Sequence, residues 1–210
     1  MIFNLNPKKD IFLEKIYDDA IKKFNLFYGL KFGKNVIEII IVKDRKTIDM
    51  LKGKKTERWL VGWANGTSVY VIDRKNYEKD SSHKYSDEIY AALIKHEMAH
   101  VFLKFFACAF YKPIWIDEGM SIFLSGQNKF KKKPKKFKGF LECYDKLEED
   151  VYNEAGFFIE FLFNKYGKEK LLELLKGMKD IKSKKEFERL FKQIYGFEIN
   201  YGEINRKWLT

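Results

Sequence analysis

Residues 96–100 read His96-Glu97-Met98-Ala99-His100. Two imidazoles four residues apart return to the same side of an α-helix, after about 400° of rotation and one turn of rise. Both can then reach one metal ion. Glu97, one residue along, stands to the side of that face, badly placed to ligate but well placed to take a proton from a metal-held water. Two of the three histidines in the chain fall in this motif, and its flanks Leu93-Ile94 and Val101-Phe102 are apolar, as in a helix buried beneath a sheet. The alternative is a helix whose histidines line a polar surface. Catalytic zinc sites take a third protein ligand and keep the fourth position for water. Trp115-Ile116-Asp117-Glu118-Gly119 follows in an apolar setting with Ile114, Ile122 and Phe123, where a carboxylate is costly to bury unless it meets a cation. Glu118 lies 18 residues after His100, enough for one helix to end, turn at Lys112-Pro113 and send a second back past the metal. Asp117 competes for the ligand role, although on a helix it points about 100° away.

These residues need elements to hold them. Apolar positions at Ile11, Phe12, Ile16, Ala20, Phe24 and Phe27 recur at helical spacing and predict a first helix over 8–28. Val36–Val42 is a β-branched run that reads as a strand, and a short helix is expected near 46–51. Strand-like runs at 59–64 and 68–73 flank Asn65-Gly66, a dipeptide that favours positive φ and a tight hairpin. From Ser86 onward helical periodicity takes over, with helices expected at about 86–109, 114–124, 151–166, 168–178, 183–195 and 200–209. The fold class is α+β.

Composition narrows the setting. The chain has 210 residues, 46% of them hydrophobic, with 20 Phe, 12 Tyr and 4 Trp against 3 Pro. That excludes a disordered segment and a disulfide-stapled mini-protein. Cys108 and Cys143, in unrelated contexts, read as buried thiols rather than a bridge. The formal charge of +11 suggests an anionic partner, but the run Lys129–Lys138 alone holds seven lysines and no acid, and without it the charge is +4. Lysines outnumber arginines 36 to 5, a bias unlike selection for phosphate forks. Residues 1–10 contain no apolar core of signal-peptide length, and the stretch Met98–Ile116 is broken by His100, Lys104, Lys112 and Pro113. A soluble, cytoplasmic and monomeric protein without a membrane span is the expectation.

HEMAH followed by WIDEG resembles the gluzincin zinc metallopeptidases, and within them the peptidase-MA-like group. Tyr152-Asn-Glu-Ala155-Gly156 leading to Tyr166-Gly167 is similar to their Tyr-x-x-Ala…Tyr-Gly helix, and the likeness spans about residues 60–210. The resemblance implies a zincin fold: an upper α+β subdomain over 1–106 with a small mixed sheet and the active-site helix, a lower helical subdomain over 107–210, and a cleft between them. It implies one Zn2+ per chain held by His96, His100 and Glu118. Glu97 would be the general base on the zinc-bound water, and Tyr152 the hydrogen-bond donor to the oxyanion. The strand Ser68–Ile72 would be the edge that pairs with an extended substrate.

The chain departs from that family in two places. The carboxylate that often steadies a histidine four residues after the glutamate ligand is replaced by Ile122, so the second shell must come from elsewhere. Leu60–Ile72 also holds no acid to capture a free amine, which favours an endopeptidase over an aminopeptidase acting on peptide or protein substrates.

Other features are less specific. His83 reads as a solvated loop residue, and no Ser-His-Asp set or phosphate loop is present. The Lys129–Lys138 run reads as a solvated flap open to proteolytic nicking, with an anionic-polymer surface or a cleft lip that draws acidic substrates as the functional alternatives. The competing reading of the whole chain is a latent or non-peptidase zincin-like metal-binding module that meets an anionic partner through that loop. DNA-associated zincins usually take a third histidine as ligand and often add a cysteine zinc ribbon, whereas this chain offers Glu118 and two separated cysteines, which argues against nucleic acid.

Overall fold

The structure, a computed structural model, describes residues 9–33, 35–107 and 113–209. Helix α1 (Ile11–Tyr28) is capped by Asp10, whose carboxylate accepts from the Leu13 N–H at 3.3 Å, and so begins later than periodicity alone suggests. Strand β1 (Glu38–Val42), helix α2 (Arg45–Lys52) and the strands β2 (Gly62–Asn65) and β3 (Ser68–Ile72) follow. The helices α3 (Asp87–Phe106), α4 (Ile114–Ser125), α5 (Glu149–Tyr166), α6 (Lys168–Gly177), α7 (Lys184–Tyr195) and α8 (Tyr201–Trp208) complete the chain. Among the described residues, every strand precedes residue 106 and only helices and turns follow it. The molecule is α+β.

The sheet is mixed, with order β1-β3-β2: β1 runs parallel to β3 and β2 antiparallel to it. Asn65 pairs with Ser68, so Gly66 and Thr67 make the turn, and Gly66 takes φ +60°, a conformation a Cβ would strain. This order corrects the expectation for Ser68–Ile72. That strand is the centre of the sheet, with Val69 and Val71 buried, and β2 is an edge. The alternation of a strand tells which face is buried but not which strands lie beside it.

Helix α3 packs on the sheet through the same face that carries Val69 and Val71, and the Tyr90 hydroxyl donates to the Ile72 carbonyl at 2.7 Å. β2 comes so close that a Cβ on Gly62 would lie 3.2 Å from both Glu97 Cγ and Leu93 Cδ1. On the opposite side α4 crosses α5 at short range, because Gly119 presents no side chain to the Ala155 carbonyl and Ile159. A single core cluster runs from Ile16 on α1 to Ile204 on α8. Aromatic rings fill its helical half, with Trp115 packed on Phe140, Phe158 and Phe187. Cys143 is buried and free; Cys108 lies outside the described residues, as does Lys112 of the expected turn.

The lysine run is solvated but not a loose flap. Phe137 is buried, and its N–H and carbonyl pair with the Asn205 side chain at 2.7 and 2.9 Å. The buried Glu154 carboxylate accepts from the backbone N–H groups of Lys138, Gly139 and Phe140 at 3.0–3.2 Å. The Trp208 indole donates to the Pro134 carbonyl at 3.2 Å. These anchors are contacts between residues far apart in the chain, which a reading of local charge does not register.

Candidate metal centre

Helix α3 brings the motif into the interior. Ser86 caps it by accepting from the Ile89 N–H, and Asp87 and Glu88 in its first turn complement the helix dipole. The helix is apolar on nearly every side, so His96, Glu97 and His100 are buried with it, at 7%, 7% and 8% exposure. Polar groups at that depth need partners. The two imidazoles supply one contact to each other, Nε2 to Nε2 at 3.1 Å.

Helix α4 begins after Pro113 and carries Asp117 and Glu118 in its first turns. Being consecutive, the two carboxylates diverge by about 100° and address His100 from different sides. Asp117 Oδ1 lies 2.6 Å from His100 Nδ1. Glu118 Oε2 lies 3.4 Å from His96 Nε2 and 3.9 Å from His100 Nε2. An ionised Asp117 can only accept, so His100 Nδ1 donates, and its Nε2, which faces His96 and Glu118, offers a lone pair once it gives up its proton. The sequence left Asp117 and Glu118 as rivals for one task; the structure gives them two.

His96, His100 and Glu118 form a group positioned to bind a metal ion, their ligand atoms all within 4.8 Å of one another. Two observations fit a cation there. Glu118 Oε2 is buried without a hydrogen-bond partner, a costly state for a carboxylate oxygen unless it meets positive charge. The three ligand-atom separations, 3.1, 3.4 and 3.9 Å, also bracket the edge of about 3.3 Å of a tetrahedron with zinc-like bond lengths.

Electrostatics sharpen the assignment. Burial raises the Glu97 pKa, the charges of Glu118 and Asp117 add to this, and the imidazoles partly offset it. Burial opposes charge on His100, yet the Asp117 and Glu118 carboxylates prevail and push its pKa up to about 10 in the metal-free chain. Burial works to raise the Asp117 pKa as well, but His100 outweighs it and holds the carboxylate below its ordinary range.

Tyr152, near the start of α5, is half-buried beside Trp59, with ring centroids 6.4 Å apart. Burial raises its hydroxyl pKa first, and the charges of Glu118 and Glu97 raise it further, so it stays a protonated donor within the field of the site. His83 is not part of the group. It is exposed, and its Nε2 lies 3.0 Å from the Trp59 carbonyl.

Sequence reasoning missed the partnership of Asp117 with His100, although adjacent carboxylates facing a histidine pair were a usable signal. It also missed Gly62, whose lack of a side chain brings β2 against Glu97, and Gly119, which lets α4 close on α5. No protein-family model matches the chain, and neither does any curated protein or solved structure.

Proposed function

We propose that the chain is a zinc-dependent metallopeptidase of the gluzincin type with a zincin fold, an endopeptidase that hydrolyses bonds within peptide or protein chains. The observation that carries this reading is the buried Glu118 Oε2, which has no hydrogen-bond partner and faces the Nε2 atoms of His96 and His100, with the Glu97 carboxyl buried beside them. A donor set of two histidines and one glutamate is a catalytic zinc pattern, because it leaves the fourth position to water, whereas a purely structural site closes all four with protein ligands. Zinc held there would supply Lewis acidity toward a water and a carbonyl oxygen.

The protein groups do the rest. Glu97, kept basic enough by its raised pKa, takes the proton from the attacking water and returns it to the leaving amide nitrogen. The Tyr152 hydroxyl donates a hydrogen bond to the carbonyl oxygen as that atom gains charge. Asp117 holds the His100 ring in its ligating tautomer. The edge strand β2 lies against Glu97 and carries no acid, which suits an extended chain passing through rather than a captured free amine. A metal store would gain nothing from a buried Glu97 beside the ligands, and this weighs against a non-catalytic module.

The test is metal content and cleavage of a mixed peptide library by wild type and Glu97→Gln. Both hold about one zinc per chain, and the variant loses activity by about 10³-fold. A wild type that retains zinc and cleaves nothing overturns the proposal. Wild-type zinc affinity in Glu118→Ala overturns the assignment of the third ligand.

A further inference from the structure

The segment between α4 and α5 joins the helix of Glu118 to the helix of Tyr152. Its lysines are arranged in a way the fold alone does not explain. Lys132, Lys133, Lys135, Lys136 and Lys138 are exposed, and none forms an ion pair with a carboxylate among the described residues. Like charges crowded together repel, so a stretch of this kind gains by staying mobile. Here the backbone is instead fixed from both ends. Phe137 is locked to Asn205, Pro134 accepts from Trp208, and three consecutive N–H groups close on the buried Glu154 carboxylate. The Lys133 ammonium sits 4.6 Å over the Trp208 ring, which holds that side chain as well. A buried carboxylate and several tertiary hydrogen bonds thus maintain a row of cations facing water.

The row also has a direction. Its inner end is Lys131, half-buried, and Glu118 is the carboxylate whose charge bears on it. Its outer end, Lys138 to Phe140, rests on Glu154, which points to the side of α5 away from Tyr152. The turn Gln127–Phe130 that leads into the row packs against α3 and α4, the helices of His96, His100 and Glu118, so the row runs outward from beside the metal centre toward α8.

We propose, on the footing that the site is a peptidase, that Lys131–Lys138 is its recognition surface for an acidic stretch of the substrate. Lys131 meets the carboxylate nearest the scissile bond, and Lys132, Lys133, Lys135 and Lys136 meet those beyond it. A peptide fits better than a nucleic acid. Lys131–Lys138 holds no arginine fork, its Phe137 ring is buried and unable to stack on a base, and the exposed Phe130 beside it is a single ring with the Lys129 ammonium 4.6 Å over its face. Pre-ordered cations raise the local concentration of an acidic chain and its association rate, and that advantage fades with salt.

The experiment uses the zinc-loaded full chain and two fluorogenic peptides of equal length, one with Asp and Glu on one side of the cleaved bond and one with Gln and Ser there. The acidic peptide gives a kcat/KM about tenfold higher at about 0.05 M salt, and the ratio falls toward one at about 0.5 M. The Lys132→Ser, Lys133→Ser, Lys135→Ser, Lys136→Ser variant brings the ratio close to one while retaining its zinc. A second arm needs no turnover: anisotropy of the labelled acidic peptide on wild type and on the variant, with a single-stranded oligonucleotide as competitor. Equal kcat/KM for the two peptides, or equal binding by wild type and variant, overturns the inference. Tighter binding of the oligonucleotide than of the peptide overturns it in favour of nucleic acid. If neither peptide is cleaved, the peptidase reading falls and the anisotropy arm still decides the surface.

Discussion

The chemistry of the site turns on how His100 is treated by its two carboxylate neighbours. Asp117 takes the Nδ1 proton at 2.6 Å and Glu118 stands on the Nε2 side at 3.9 Å, so the metal-free imidazole is held charged. Its pKa rises from 6.5 to about 10. Because the folded value lies above the unfolded one, the charged ring stabilises the metal-free fold fully below pH 6.5, and this contribution is lost as pH climbs through about 10. Metal uptake must expel the same proton. Near pH 8 zinc binding therefore releases about one proton, where a histidine of ordinary pKa would release almost none. Titration calorimetry in buffers of different ionisation enthalpy measures this directly. In Asp117→Asn fewer protons are released, because Glu118 and Glu97 alone then hold the charge on His100, and zinc affinity drops by about 10–100-fold.

At the scale of elements, the site depends on how closely α4 can approach its neighbours. Glu118 precedes Gly119, and a Cβ at position 119 would stand 2.9 Å from both the Ala155 carbonyl oxygen and Ile159 Cγ1. Replacing glycine by alanine favours a helix interior by about 1 kcal/mol. The carbonyl belongs to the α5 backbone and cannot rotate aside, so the clash outweighs that gain. Gly119→Ala costs about 1–3 kcal/mol in urea unfolding, and zinc affinity weakens with it because lifting α4 carries Glu118 away from His96. Stability lost with zinc affinity unchanged would show that α4 tolerates the shift without moving its ligand.

At the scale of the molecule, the group positioned to bind a metal ion comes from two helices separated by residues 107–113, each packed on a different part of the core. A metal there cross-links α3 to α4 and stabilises the fold as any ligand selective for the native state does, by about 2.7 kcal/mol at 100 times its Kd. For a chain of this length each kcal/mol moves Tm by about 2–4 °C. Chelation should therefore lower Tm by about 5–10 °C in scanning calorimetry, and returning zinc should restore it. The net charge of the molecule is +11. Much of it sits in exposed lysines of the Lys129–Lys138 segment, which are held in place by Phe137, Glu154, Asn205 and Trp208.

The sequence by itself determined what depends on neighbours within a turn or two. His96 and His100 share a face because a helix returns every 3.6 residues, and Asp10, Ser86, Ser183 and Asn200 cap helices through contacts three residues along. The periods of 3.6 and 2 likewise placed the helices and strands and fixed the α+β class. Only the tertiary structure decided matters that join distant parts of the chain. Strand order made β2 rather than Ser68–Ile72 an edge, since pairing is chosen by hydrogen bonds that alternation does not encode. The division of labour between Asp117 and Glu118 rests on where α4 lies against α3, 17 and 18 residues after His100. The lysine segment reads locally as seven repelling charges. It is held because a carboxylate on α5 and an amide on α8, distant in the chain, meet its backbone in the fold.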